Sequence, residues 1–264
     1  MLSAILITRN EAHNLEDCLA SLKDLADEIV VVDTQSSDDT VAIAQKFGAK
    51  VAQPQDWPGF GLQKNRALAL ATQPWVLSID ADERVTPELA AEINVAIGRA
   101  HKDGNHHDPI AKHFNAYEIP RKSWYCGKFI QYSGWRPDYV LRLFRKNSAK
   151  FSDDLVHERV IAEGDIGQLK NHLLHYSYLD FSQVLAKVDA YSSAAAQQAF
   201  NRGEKGSIGK AVMHGVWSFF RTYFLRAGFL DGVHGLALAI SNSQTSYYKY
   251  LKLWTMYQSK GNKH

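Results

Sequence analysis

Cysteine is nearly absent from this chain. Cys18 and Cys126 are the only two in 264 residues. Two distant cysteines make no disulfide framework, so reduced thiols in a cytoplasmic compartment are expected. Long apolar runs are missing as well. None reaches the ~20 mostly apolar residues of a membrane-spanning helix. The longest stretch near the end without Asp, Glu, Lys or Arg, 232–248, carries Ser241, Asn242, Ser243, Gln244, Thr245 and Ser246. The opening MLSAILITRNEAHN lacks a basic n-region and does not read as a signal peptide. No internal repeat is found. Net charge is small at +2, but it hides a split. From Arg202 to His264 there are 9 Lys and Arg against 2 Asp and Glu, a local +7, which leaves −5 for the rest. With 45% hydrophobic and 22% charged residues, the chain is neither disordered nor collagen-like. The basic end is expected to meet something anionic.

The first hundred residues alternate between strand and helix patterns. Leu2–Thr8, Glu28–Asp33, Ala49–Gln53 and Pro74–Asp80 read as strands. Asn14–Leu25, a segment opening at Ser37–Thr40, and Gly59–Ala71 read as helices. Such alternation predicts an α/β fold on a mostly parallel sheet, with ligands beyond the carboxyl ends of the strands. That rule groups Thr8, Asp33 and Asp80. Residues Phe114–Arg121, Asp138–Phe144 and Leu155–Ile161 alternate like strands of a second layer. From Phe181 the texture is helical. The histidine-rich 101–113 stretch reads as a solvated loop, since no carboxylate or cysteine pattern frames its histidines.

A glycine-rich phosphate loop is missing where one would be expected. Thr8-Arg9-Asn10-Glu11 follows the first strand without glycine, which disfavours dinucleotide-binding and nucleotidyl-transferring proteins. Gly203–Ala211 resembles a P-loop but has the wrong spacing, and Ala211 stands where Ser or Thr is needed. What is present instead is Asp80-Ala81-Asp82-Glu83 at a strand end. In extended backbone, residues two apart face the same way, so Asp80 and Asp82 would enter one cleft. Paired hard oxygen ligands suit Mg²⁺ or Mn²⁺, which take further ligands from substrate phosphates. The bland reading is an acidic turn before a helix that starts near Thr86-Pro87. Asp33 can accept hydrogen bonds from a uracil ring or ribose. On the Gln63-Lys64-Asn65-Arg66 helix, Lys64 and Arg66 do not share a face, so one reaches the nucleotide or phosphate.

Taken together, I-T-R-N-E (residues 7–11), V-V-D-T-x-S-x-D-x-T (31–40), Q-K-N-R (63–66) and S-I-D-A-D-E (78–83) resemble family 2 glycosyltransferases with a GT-A nucleotide-sugar-binding domain. The resemblance implies that Thr8, Arg9, Glu11, Asp33 and Lys64 or Arg66 line the nucleoside pocket. It also implies that Asp80 contacts ribose or metal and that Asp82 binds the metal.

Gly134-Trp135-Arg136-Pro137-Asp138, Leu141–Arg145, Asp153–Glu158 and Phe224–Gly232 extend the resemblance to the lipopolysaccharide inner-core glucosyltransferases. That branch implies an inverting enzyme with a UDP-sugar donor, UDP-glucose foremost, and a heptose of a lipid-anchored core oligosaccharide as acceptor. Inversion needs a base for the acceptor hydroxyl proton. Where many members carry an E-D pair, this chain has His157-Glu158, so Glu158 is the expected base, with Asp154 and Asp153 behind it. Trp135, Arg136 and His157 are expected acceptor contacts, with Trp135 equally readable as a core anchor. His175 is a candidate third metal ligand by analogy with GT-A enzymes, set against the reading of a hydrogen-bonded core histidine.

A GT-A catalytic domain is thus expected over 1–178, with a donor part at 1–100 and an acceptor part at 114–178. A helical, basic region follows over 179–264. Val212–Leu230 reads as one amphipathic helix with an apolar stripe at Met213, Val216, Trp217, Phe220, Phe224 and Ala227. Tyr247–Trp254 repeats the aromatic-plus-lysine texture. Peripheral contact with an anionic membrane, at the inner face of a bacterial inner membrane, is the expected use. No nucleic-acid module accompanies the charge.

Overall fold

The computed structural model describes residues 1–99, 114–152 and 159–261. In chain order the elements are β1 (Leu2–Thr8), α1 (Ala12–Leu22), β2 (Glu28–Asp33), α2 (Thr40–Lys46), β3 (Lys50–Ala52), α3 (Phe60–Leu70), β4 (Trp75–Ser78), β5 (Glu83–Val85) and α4 (Pro87–Ala96). Then come β6 (Ala116–Tyr125), β7 (Lys128–Phe129), β8 (Tyr139–Arg145), β9 (Ala149–Phe151), β10 (Val160–Ala162), β11 (Ile166–Gln168) and β12 (Leu173–Tyr178). The helices α5 (Phe181–Asn201), α6 (Ile208–Phe220) and α7 (Val233–Gly261) follow.

The chain forms two compact units. The first comprises 1–121 and 138–175, the second 122–137 and 176–264. Residues 122–137, which the sequence pattern grouped with 114–178, therefore belong with the C-terminal helices.

The first unit is built on the sheet order β3-β2-β1-β4-β8-β6-β12-β5. β3, β2, β1 and β4 are parallel. β1 is buried on both faces, as a near-continuous apolar run in a covered parallel sheet must be. Its alternating residues feed two cores. Leu6 packs with Leu15, Leu19 and Leu22 of α1 and with Leu89 and Ile93 of α4. Ile5 packs on the other side with Ala67 and Leu68 of α3. The expected second layer does not form from 114–121 and 138–144. β8 joins β4 antiparallel and β6 joins β8 antiparallel, extending the same sheet. Their apolar runs are satisfied by continuing the covered sheet, since Leu143 and Phe144 serve its two opposite cores.

The second unit is helical. Val184 and Val188 of α5 pack with Leu238 of α7, Tyr125 and Ile130. Ala196 and Ala199 pack with Leu253 further along. Lys252 ties α7 to α5 by donating to Asp189 Oδ1 (2.7 Å), Ser192 Oγ (2.8 Å) and Ser193 Oγ (2.7 Å). The single helix expected over Val212–Leu230 is broken. α6 ends at Phe220, a π-helical turn covers Arg221–Leu225, and Ala227 is left-handed at φ 52° before a 3₁₀ turn at Gly228–Asp231. The break has two physical causes. Gly228 lies so close to the Thr222 carbonyl that a Cβ would sit 2.7 Å from it. The buried Asp231 carboxylate accepts the backbone N–H groups of Gln131 (3.0 Å) and Tyr132 (2.8 Å), which draws the chain out of helical path. Among the described residues no helix is long and apolar enough to cross a membrane.

Candidate active site

The carboxyl ends of β1 and β2 meet in register, Thr8 beside Asp33. Asp33 is fully buried. Its carboxylate accepts from Thr8 Oγ1 (3.0 Å), Ser36 N (2.9 Å), Ser36 Oγ (2.5 Å) and Gln53 Nε2 (3.5 Å). Most of its acceptor sites are thus taken by the protein, and it shapes the 34–37 loop. That loop is stitched to the one after β1: Asn10 N donates to Ser36 Oγ (2.8 Å) and Ser37 N to Asn10 Oδ1 (2.8 Å). Asp38 closes the join by accepting from Ala12 N (3.1 Å) and Thr40 N (3.1 Å). Arg9 lies exposed on this rim and Glu11 is half-buried.

β4 ends at Ser78, and the chain turns: Glu83 N donates to the Asp80 carbonyl at 2.9 Å. The extended backbone expected through Asp80 and Asp82 is therefore replaced by a turn, and the two carboxylates take different partners. Asp80 meets Lys64 Nζ at 3.1 Å and accepts from Arg142 Nη2. Asp82 meets His175 Nε2 at 3.3 Å. The bland reading is also partly realised, because Thr86 caps α4 by accepting from Leu89 N at 3.2 Å.

Behind the turn lies a buried charge network. The Glu83 carboxylate is fully buried; it accepts from Asp80 N (2.9 Å) and Arg142 Nη2 (2.7 Å), with Arg121 Nη1 at 3.6 Å. Arg121 is held by Asp138, with Nε donating at 3.0 Å. Burial alone would raise the Asp80 pKa, but the Arg142 and Lys64 charges outweigh it and hold the carboxyl far below the usual range. Glu11 shifts the other way: burial raises it, and Asp82 and Asp80 add to the rise against hydrogen bonding from Asn14.

α3 presents its two cations differently. Lys64 is buried and aimed at Asp80, whereas Arg66 turns to Asp56 Oδ2 (2.7 Å) and Gln63 Oε1 (3.0 Å). Between them, Asn65 brackets Phe151, donating to its carbonyl (3.0 Å) and accepting its N–H (2.9 Å). This fixes the chain ahead of 153–158. Glu158, His157, Asp153 and Asp154 lie outside the described residues. Trp135 and Arg136 belong to the second unit. The Trp135 ring stacks on Tyr178 at 6.1 Å and meets Tyr125 edge-on at 5.8 Å, which makes it a packing anchor. Arg136 Nη1 donates to Gln131 Oε1.

The donor set fits a divalent cation. Asp82 and His175 offer a carboxylate oxygen and an imidazole nitrogen 3.3 Å apart, both partly exposed. No group of three or more His, Cys, Asp or Glu that could hold a metal occurs among the described residues. A cation on this pair would complete its shell with substrate oxygens and water, as Mg²⁺ and Mn²⁺ commonly do. Sequence reasoning did not assign Arg142 or Arg121 to the site. The signal for Arg142 was a cation inside the apolar run Leu141–Phe144, which demands a buried carboxylate.

The family described as Glycosyl transferase family 2 matches residues 3–159. An uncharacterised glycosyltransferase of Rickettsia conorii is 32% identical over 90% of this chain and 84% of its own. The lipopolysaccharide core biosynthesis glycosyltransferase LpsC of Rhizobium meliloti is 28% identical over 96% of this chain and 92% of its own. The structure of S. aureus TarS with UDP-GlcNAc aligns with a TM-score of 0.49 at 15% identity, over 98% of this chain and 92% of that one.

Proposed function

We propose, since the chain belongs to glycosyltransferase family 2, that it transfers glucose from UDP-glucose, with inversion, to a heptose of a lipid-anchored lipopolysaccharide core. The similarity to LpsC along nearly the whole chain supports the acceptor class. The observation that carries the donor site is the contrast within one turn: Asp80 is neutralised by Lys64 and Arg142, while Asp82 stands with His175.

In this reading Thr8, Arg9, Glu11 and Asp33 shape the nucleoside pocket, and Asp80 with Lys64 borders the ribose and diphosphate. Arg66, turned to Asp56, frames the pocket's edge. Asp82 and His175 would hold Mg²⁺ or Mn²⁺, which would supply positive charge beside the departing diphosphate. Glu158 takes the acceptor hydroxyl proton as the oxygen bonds to the anomeric carbon. The bond from that carbon to the diphosphate oxygen breaks, and its electron pair leaves with UDP. His157 serves the acceptor. The enzyme works at the inner face of a bacterial inner membrane, held by the exposed apolar face of α6 and the basic C-terminal region. That face shows Met213, Val216, Trp217 and Phe220, each more than 40% exposed.

Transfer of radiolabel from UDP-glucose to defined truncated core oligosaccharides tests the reading. Wild-type protein is expected to label heptose-terminated acceptors. Asp82→Asn is expected to abolish transfer with the fold intact, and Glu158→Gln to bind UDP-glucose without turnover. Label appearing instead on polyprenyl phosphate, or wild-type turnover by Asp82→Asn, would overturn it.

A further inference from the structure

The second unit contains an open pocket of about 370 Å³ lined by Gln131, Tyr132, Gly134, Arg136 and Arg226. Its described residues offer two guanidinium groups, an amide and a phenol. Arg136 is oriented by donating to Gln131 Oε1. Arg226 comes from the break after α6, and its carbonyl accepts the Ser133 N–H at 2.8 Å. Burial and the Arg221 charge both lower its pKa.

The pocket wall is built for this arrangement. Gly134 has φ 80°, and a Cβ there would lie 2.4 Å from Arg226 Cδ and Nη1. Glycine adopts that backbone without strain and leaves the Arg226 side chain its present place. The wall is also held in shape before any ligand arrives. Asp231, buried, accepts from the Gln131 and Tyr132 N–H groups, Trp135 N donates to the Tyr132 carbonyl (3.0 Å), and the Trp135 ring is locked by Tyr125 and Tyr178. Converging donors on a fixed wall favour a tetrahedral oxyanion that guanidinium groups bind bidentately.

We infer that this pocket binds a phosphate group through Arg136 and Arg226, with Gln131 as a further donor. The bearer is a sugar phosphate of the acceptor or the headgroup of an anionic lipid. Only the choice of bearer rests on the proposed transfer; phosphate binding is measured without turnover, so either idea can fail alone.

The test is calorimetric titration of inorganic phosphate into the full chain saturated with UDP, which occupies the proposed donor site. Saturable binding is expected. Arg226→Gln and Arg136→Gln should each weaken it at least tenfold, and Arg226→Lys should lose less. Lys205→Gln, an exposed charge elsewhere in this unit, should change nothing. Melting curves matching wild type establish that the variants fold. Undiminished binding in Arg226→Gln, or equal weakening in Lys205→Gln, overturns the pocket. A second arm identifies the bearer. Competition by glucose 6-phosphate, with vesicle binding unaffected in Arg226→Gln, supports a sugar phosphate. Loss of preference for phosphatidylglycerol over phosphatidylcholine vesicles in that variant supports a lipid headgroup.

Discussion

The Arg142 guanidinium lies 2.7 Å from the Glu83 carboxylate with both side chains buried, and the same nitrogen reaches Asp80. One arginine in the middle of β8 thus binds two carboxylates of the turn after β4. It anchors the turn from behind through Glu83, and it neutralises Asp80 at the front together with Lys64. Asp82, in the same turn, is left to His175. The arrangement gives two like-charged groups two residues apart different partners.

Breaking this pair is expected to be costly. Removing one partner of a buried ion pair leaves an uncompensated charge, at about 3–5 kcal/mol. Urea denaturation of Arg142→Met or Glu83→Gln should show a loss of that order. The double variant should lose much less than the sum, because the groups share one network. Additive losses would show that the pair is not coupled.

The metal pair makes a separate prediction. Mn²⁺ binding in the presence of UDP, followed by electron paramagnetic resonance, should weaken at least tenfold in His175→Ala and in Asp82→Asn. Asp80→Asn should leave it within about threefold, because Asp80 is already paired with two cations. If Asp80→Asn abolished Mn²⁺ binding while His175→Ala did not, the assignment of ligands would be reversed.

The parallel half of the fold was legible in the sequence because its strands are covered on both faces and so read as unbroken apolar runs, β1 and β2 above all. β6 and β8 were recognised as strands but not as part of the same sheet, since periodicity says which face is apolar and not which neighbour pairs with it. Asp80 and Asp82 were found from spacing, yet the inference that they share a direction assumed extended backbone, and a hydrogen-bonded turn overrides it. Arg142 sits 62 residues from Asp80, and only the sheet order brings them together. The break at Ala227 was hidden for the same reason: helical periodicity continues through it, while one of its two causes is a carboxylate binding a loop about a hundred residues away.

Glu28 gives the fold a pH dependence of defined sign. It ties β1, β2, β3 and the α3–β4 loop together, bonding Ser3 Oγ, Lys50 Nζ, Thr72 N (2.7 Å) and Thr72 Oγ1 (3.0 Å). Burial alone would raise its pKa, but the bonds from Lys50, Ser3 and Thr72 outweigh it and bring it to about 2. A carboxyl depressed in the folded state contributes stability above its unfolded pKa of about 4.3 and loses it as pH falls toward the folded value. Glu28→Gln should therefore be less stable than wild type at pH 7, with the gap closing between about pH 4 and pH 2. Chemical denaturation at pH 7, 5, 4 and 3 measures it. A gap independent of pH would mean that the ionised form is not what stabilises this corner.

The apolar face of α6 bears on where the protein works. Val216 is 65% exposed and Trp217 52%, and they stand one to two turns from Arg221 and Lys210. Such side chains gain by entering a lipid interface, while the cations meet anionic headgroups. Fully burying a large apolar side chain is worth about 1.5–3 kcal/mol, and half of that is roughly a three- to tenfold change in partitioning. Trp217→Ser or Phe220→Ser should each lower binding to phosphatidylglycerol vesicles by about that factor in a sedimentation assay. Arg221→Gln should act differently, reducing binding mainly at low salt, because ionic strength screens its contribution and leaves the apolar one. Vesicle binding that survives both serine substitutions and vanishes in salt would show a purely electrostatic contact, and the aromatic face would then need another partner.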